Sequence, residues 1–169
     1  MEMSILYAIQ SLRTEFLDVA MVFISRLGNS GKIWIIIGLI MVCFRKYRKA
    51  GLAIIIALIF CLVTGNGVLK NVIGRSRPCW IDDGVKLLIN TPKDYSFPSG
   101  HTFSSFAAAI SIIYFHKREG IIAIILAVLI AFSRLYLFVH YPSDILGGII
   151  LGSVAAILGI ILVNKIYKK

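Results

Sequence analysis

The sequence predicts an all-α fold: a polytopic membrane helix bundle of about six transmembrane helices. Three observations predict it. Of 169 residues, 59% are hydrophobic, against about 45–50% in a soluble domain. The apolar residues fall in long runs rather than alternating with polar ones. Charged clusters and turn residues punctuate those runs, and most basic residues cap them. A soluble globule of this size has no interior for so much apolar surface. Soluble enzymes, disordered tails and small secreted disulfide scaffolds are therefore excluded, and the bilayer is the natural solvent. The length suits one integral-membrane domain over residues 1–169.

Residues 4–12 (SILYAIQSL) read as a short amphipathic lead-in lying in the interface. The first span is expected within residues 13–27, short and carrying Asp18, and GNSG at 28–31 is a turn. Residues 32–44 form the second span, closed by the basic cluster RKYRK at 45–49. Residues 50–69 form the third and end in a looser TGNG. Over residues 70–97 Lys, Arg, Pro, Asp and Trp appear and no long apolar run survives, so this is the one substantial extramembrane loop. The remaining spans are expected near 99–115, 121–139 and 142–164, with HKREG at 116–120 joining the fourth to the fifth.

Six spans put both termini on one side. That side collects ten basic residues: Arg13, Arg45, Lys46, Arg48, Lys49, Lys117, Arg118, Lys165, Lys168 and Lys169. The other side holds eight, and Asp82, Asp83, Asp94 and Asp144 with them. The positive-inside rule then gives a multi-pass cell-membrane protein with both termini cytoplasmic and the 70–97 loop outside. The net charge of +10 also suits an anionic ligand or anionic headgroups. Nucleic acid is not an expected partner, because no soluble basic module exists. Oligomeric state is not legible. The cysteines Cys43, Cys61 and Cys79 form neither a disulfide framework nor a CxxC metal site. Met1–Leu12 carries Glu2 and lacks the pattern of a cleavable signal peptide.

Three dense polar clusters fall on one expected face: Lys70 to Pro78, Pro98 to His101, and Ser133-Arg134 with His140 and Asp144. Three cations, two imidazoles, a hydroxyl and a carboxylate at one membrane surface suggest an oxyanion site. Lys70 and Arg77 could neutralise a dianion and Arg134 could clamp it; the first two also fit snorkelling or loop residues. Pro98-Ser99-Gly100 reads as a helix start whose free N–H groups would cradle phosphate, with Ser99 as cap and Gly100 allowing close approach. Asp144 could take the Nδ1 proton of His140 and expose Nε2 as a nucleophile, or simply cap the last helix. With His101 the site would have two imidazoles for two tasks, attack and protonation of the leaving oxygen. His116 reads as a solvated loop residue. The surrounding cations speak for a bound anion rather than a zinc ion, so neither a metal nor another cofactor is expected.

Lys70-x6-Arg77-Pro78, Pro98-Ser99-Gly100-His101 and Ser133-Arg134-x5-His140-x3-Asp144 resemble the three-part signature of the type 2 phosphatidic acid phosphatase superfamily. The resemblance extends over residues 70–144, and the expected six-span plan resembles its small bacterial members. It implies a metal-independent phosphohydrolase of membrane lipid phosphates. By motif position His140 would attack phosphorus and form a phosphohistidine, Asp144 would orient it, and His101 would protonate the leaving group. Lys70, Arg77, Ser99, the Gly100 N–H and Arg134 would hold the phosphoryl oxygens. Undecaprenyl diphosphate is the expected substrate. Phosphatidylglycerophosphate and phosphatidate are the alternatives, and a lipid phosphotransferase on the same scaffold is a further one.

Overall fold

The computed structural model describes residues 1–168, the side chain of Asn66 excepted. All regular structure among them is helical: α1 (Glu2–Gln10), α2 (Glu15–Leu27), α3 (Lys32–Cys43), α4 (Arg48–Phe60), α5 (Lys70–Ile73), α6 (Pro78–Ile81), α7 (Gly100–Phe115), α8 (Lys117–Tyr136) and α9 (Pro142–Ile166). A π-helical stretch, Cys61–Leu69, joins α4 to α5 without a break. Local chemistry sets the ends. The Thr14 hydroxyl accepts the Leu17 N–H at 3.3 Å at the start of α2, and proline opens α6 and α9, where a missing N–H costs nothing. Gly74 takes a φ of 60° and ends α5.

Helix α7 is the centre of the bundle, packed by α4, α8 and α9. Its small residues, from Ser104 and Ser105 to Ala107, Ala108 and Ala109, are buried. Glycines let neighbouring backbones come close. A Cβ on Gly152 would lie 2.7 Å from the Phe103 carbonyl oxygen, and one on Gly120 would lie 2.2 Å from Ile113 Cα. Such small-residue contacts are how helices associate where lipid removes the hydrophobic drive. The Trp34 Nε1–H donates to Ser105 Oγ at 2.9 Å inside the core and ties α3 to α7. Large apolar side chains such as Phe16, Phe23, Ile122 and Ile150 face outward, as a lipid-facing surface requires.

The count of six spans is not reached among the described residues. Three helices are long and apolar enough to cross a membrane, or four if the bent pair Glu15–Leu27 with Asn29–Cys43 counts as one. The apolar helix Gly100–Phe115 is shorter than these. GNSG does not reverse the chain, because Ser30 and Gly31 (φ 54° and 64°) bend the path by 42° and α3 carries on in the direction of α2. The first two expected spans thus form one bent pair.

Helix α1 and the last turn of α9 lie at different ends of the bundle. Arg13 donates to the Lys86 carbonyl at 3.0 Å and Tyr7 to Asp82 at 2.7 Å, so the N-terminal helix lies at the end that carries the 82–99 loop. Lys49 lies over the Tyr167 ring at 5.0 Å at the other end. Asp18 is paired with Arg13 at 3.1 Å and with the Tyr136 hydroxyl at 2.7 Å. The expected loop at 70–97 is also shorter, since the helix runs through Lys70 to Ile73.

In a background lacking the native cysteines, Ser11→Cys and Lys86→Cys should react with a membrane-impermeant thiol reagent from the same face of sealed vesicles. Lys165→Cys should react only from the other face. Ser11→Cys sharing the face of Lys165→Cys would put both termini on one side.

Candidate active site

The three clusters converge at one end of α7. Ser99 caps this helix: its hydroxyl accepts the Thr102 hydroxyl at 3.0 Å, and its N–H donates to the Asp144 carbonyl at 3.2 Å. Capping thereby locks the start of α7 to the start of α9. A Cβ on Gly148 would meet Thr102 Cβ at 2.9 Å, so the two helix starts cannot come this close with any larger residue there. Pro98 lies outside the helix, one place before the cap rather than in the first turn.

His140 is buried in the tight turn between α8 and α9. Arg77 donates to its Nε2 at 3.1 Å. A guanidinium can only donate, so Nε2 is the unprotonated nitrogen and the ring proton sits on Nδ1. That proton faces Asp144 Oδ2 at 3.4 Å. The tautomer is therefore the one expected for nucleophilic attack through Nε2. Burial pushes the imidazole down to about 3, helped by the charges of Arg77 and Arg134 and only partly opposed by Asp144. Asp144 also accepts the Tyr141 N–H at 2.9 Å at the head of α9. Helix capping and histidine orientation are one contact set, not alternatives.

Lys70, Arg77 and Arg134 are all buried. Arg77 holds the site together, donating to the Val139 carbonyl at 2.7 Å, the Asp94 carbonyl at 2.7 Å and Asp94 Oδ1 at 2.9 Å. Lys70 pairs with the other Asp94 oxygen. Burial would raise the Asp94 carboxyl, but the hydrogen bond from Lys70 and the charges of Lys70 and Arg77 hold it well below the usual carboxylate range. Arg134 donates to Ser25 Oγ, makes no ion pair among the described residues, and leaves its buried Nε without a partner. His101 donates from Nε2 to Asn29 Oδ1 at 3.0 Å.

Lys70, Arg77, Gly100, His101, Arg134 and His140 line one cavity of about 620 Å³. Away from them the cavity continues between α3 and α4 along Ile35, Ile55, Leu58, Ile59 and Leu62. One end is cationic and the other is a lipid-like slot.

Several contributors were not legible as site residues. Gly28 and Asn29 read as a plain turn, yet a Cβ on Gly28 would lie 2.8 Å from His101 Cδ2. Ser96, which donates to Asp144 Oδ2 at 2.5 Å, stands in no motif. Arg75 lies inside the first cluster without an assigned task, and Glu2 lies far from it in sequence. Arg75 donates to Asp144 Oδ1 at 2.7 Å and to Glu2 Oε2 at 2.6 Å.

A profile of the PAP2 superfamily matches residues 46–168. The undecaprenyl-diphosphatase of Sulfolobus acidocaldarius is 36% identical over 138 residues, 81% of this chain and 66% of that protein. The chain thus spans just under two thirds of that curated relative. The crystal structure of a transmembrane PAP2-type phosphatidylglycerolphosphate phosphatase from Bacillus subtilis superposes with a TM-score of 0.76 at 32% identity, covering 96% of this chain and 84% of that one. Aquifex aeolicus LpxE superposes with a TM-score of 0.76 at 28% identity, covering 94% and 93%.

The carboxylate of Asp94 occupies Lys70 and Arg77. Asp94→Asn should therefore tighten the binding of inorganic vanadate to the detergent-solubilised protein. The expected gain is about tenfold, near the scale of one charge-assisted hydrogen bond at about 1.5 kcal/mol. Isothermal titration calorimetry measures it. Weaker binding in the variant would instead make Asp94 a support of the anion site.

Proposed function

The chain belongs to the PAP2 superfamily, and from that membership and the geometry of its site we propose that it is an integral-membrane, metal-independent lipid phosphate or diphosphate phosphatase acting through a phosphohistidine. One observation carries the reading. Arg134 is a buried guanidinium with an unpartnered Nε, facing the same cavity as the unprotonated Nε2 of His140. An uncompensated buried charge is costly, and a phosphoryl group entering the cavity would supply the missing anion.

In this mechanism the phosphoryl oxygens displace the Asp94 carboxylate from Lys70 and Arg77 and engage Arg134. The Ser99 hydroxyl and the Gly100 N–H at the head of α7 complete the cradle. Arg77 moves its hydrogen bond from His140 Nε2 to a phosphoryl oxygen and frees the lone pair. Nε2 attacks phosphorus, the bond to the leaving oxygen breaks, and His101, entering as the imidazolium, gives that oxygen a proton. Asp144 steadies the imidazolium that forms. Water then attacks the phosphohistidine, His101 takes its proton, and phosphate leaves. Fixed donors aimed at developing negative charge supply most of the rate in such sites. The three cations provide the charge that a metal ion supplies elsewhere.

The apolar slot next to the cationic end supports an amphiphile as substrate, its headgroup in the site and its tail along Ile55, Leu58 and Ile59. Undecaprenyl diphosphate is the substrate proposed, in line with the name of the Sulfolobus relative; phosphatidylglycerophosphate, in line with the Bacillus structure, is the alternative. The end opposite the site carries Arg45, Lys46, Arg48, Lys49, Lys117, Arg118 and Lys165. By the positive-inside rule that end is cytoplasmic. The site, with the N-terminal helix, then faces the extracytoplasmic leaflet.

Purified His140→Ala should fold and release no phosphate, with a loss on the scale of about 10⁶ for a removed nucleophile. Wild-type activity should survive excess EDTA. Phosphate release by folded H140A would overturn the nucleophile, and loss of activity in EDTA with rescue by a divalent cation would overturn metal independence.

His101→Ala should depend on the leaving group. On a lipid monophosphate, whose alkoxide needs a proton, kcat/KM should fall by about 10²–10⁴. On p-nitrophenyl phosphate, whose leaving group needs little help, the loss should be clearly smaller. Equal losses on both substrates would remove His101 as the acid.

A further inference from the structure

Asp144 is a fully buried carboxylate, and its two oxygens have different neighbours. Oδ2 is crowded: Ser96 Oγ at 2.5 Å, the Tyr141 N–H at 2.9 Å and His140 Nδ1 at 3.4 Å all share it. Oδ1 has Arg75 Nη1 at 2.7 Å. A carboxylate turns about its last torsion unless both oxygens are held. Arg75 holds the second one, and so keeps Oδ2 towards the histidine.

Arg75 reaches the same carboxylate by a second route. Its carbonyl accepts the Ser96 N–H at 2.8 Å, and Ser96 is the hydroxyl donor on Oδ2. One residue therefore fixes one oxygen with its side chain and the donor to the other with its backbone. The guanidinium is itself fixed on several sides. It lies 4.0 Å over the Tyr141 ring, donates to Ser143 Oγ at 2.6 Å, and donates through Nη2 to Glu2 Oε2 at 2.6 Å.

Glu2 closes the chain of contacts. Its Oε1 accepts the Ser143 N–H at 2.9 Å in the first turn of α9, where a carboxylate also suits the helix dipole. Helix α1 is tied down next to the histidine turn: Leu6 is fully buried among Leu137, Phe138 and Val139, and Gln10 donates to the Tyr136 carbonyl at 2.8 Å. The carboxylate of Glu2 is thus delivered by a helix packed on the turn that bears His140.

We propose that Arg75 and Glu2 are positioning residues for the phosphoryl transfer, forming with Asp144 and His140 an alternating line Glu2–Arg75–Asp144–His140 that extends the orienting pair to the N-terminal helix. This rests on the reading of His140 as the nucleophile. Arg75 does not touch substrate; its task is to hold the carboxylate that orients the imidazole. Glu2 balances the guanidinium charge, so that Arg75 can sit beside Asp144 without turning away.

The test is a kinetic cycle on purified full-length protein in one detergent, with a lipid phosphate as substrate. Arg75→Met should lower kcat by about 10- to 100-fold and Glu2→Gln by about 3- to 10-fold. KM and the inhibition constant for vanadate should stay within about twofold, since Lys70, Arg77 and Arg134 are untouched. Arg75→Lys should recover part of the Arg75→Met loss. In an Asp144→Asn background, single-turnover rates should show no further loss from either change. A merely structural role would move KM with kcat and add its full cost to Asp144→Asn. Should Arg75→Met fail to fold, Glu2→Gln on the half-exposed rim reads the same cycle. Full additivity, or wild-type kcat in both variants while His140→Ala is inactive, overturns the positioning line alone. Turnover by His140→Ala overturns the nucleophile beneath it, so the two failures are told apart.

Discussion

Buried positive charge held beside a neutral histidine is the constraint on which the rest of this structure depends. Lys70, Arg77 and Arg134 are each withdrawn from water, and cations in such a place repel one another more strongly than on a surface. Asp94 compensates two of them from a loop, and its side chain is 55% exposed. That degree of exposure makes it a counter-ion that can leave. Arg134 has no such partner among the described residues. Arg77, bonded to His140 Nε2, sets the tautomer of the proposed nucleophile.

Holding that arrangement requires helix starts that barely move. The head of α7 and the head of α9 are joined by Ser99 N–H to the Asp144 carbonyl and by the glycine contacts at Gly148 and Gly152. In lipid, where apolar burial between helices contributes little, close backbone approach is the available source of rigidity. The bent crossing formed by α2 and α3 has a comparable effect. A straight α2–α3 helix would not place the 28–31 turn against α7; bending there puts Gly28 under the His101 ring and Asn29 on its Nε2. The cavity beside His101 runs on along Ile35, Ile55 and Leu58.

The residues that were legible in the sequence share a physical character. His140, Asp144, Ser99, Gly100, Arg77 and Lys70 all stand near helix ends or in turns, where polar groups next to apolar runs need a reason, and the short spacing between them limits their geometry. Helix character and the membrane class followed from composition. What was not legible depends on long-range placement. Whether GNSG reverses the chain or bends it depends on backbone angles at Ser30 and Gly31 that the residue types permit in either sense. The count of six spans rested on reading it as a reversal, and the described helices do not reach that count. Ser96, Asn29 and Glu2 carry ordinary polar side chains at ordinary positions; only the fold shows that they end on Asp144, His101 and Arg75. Arg75 was visible as a charge within a cluster, but its partner at Asp144 lies 69 residues away.

The central claim is that phosphorus becomes bonded to His140. Rapid-quench mixing of the purified protein with a ³²P-labelled lipid phosphate, stopped in base, tests it directly, because a phosphoramidate survives base and is lost in mild acid. The mechanism requires a burst of acid-labile label that forms before phosphate release and maps to the peptide containing His140. Label on a serine or threonine, or phosphate release with no labelled protein at any time, would contradict it.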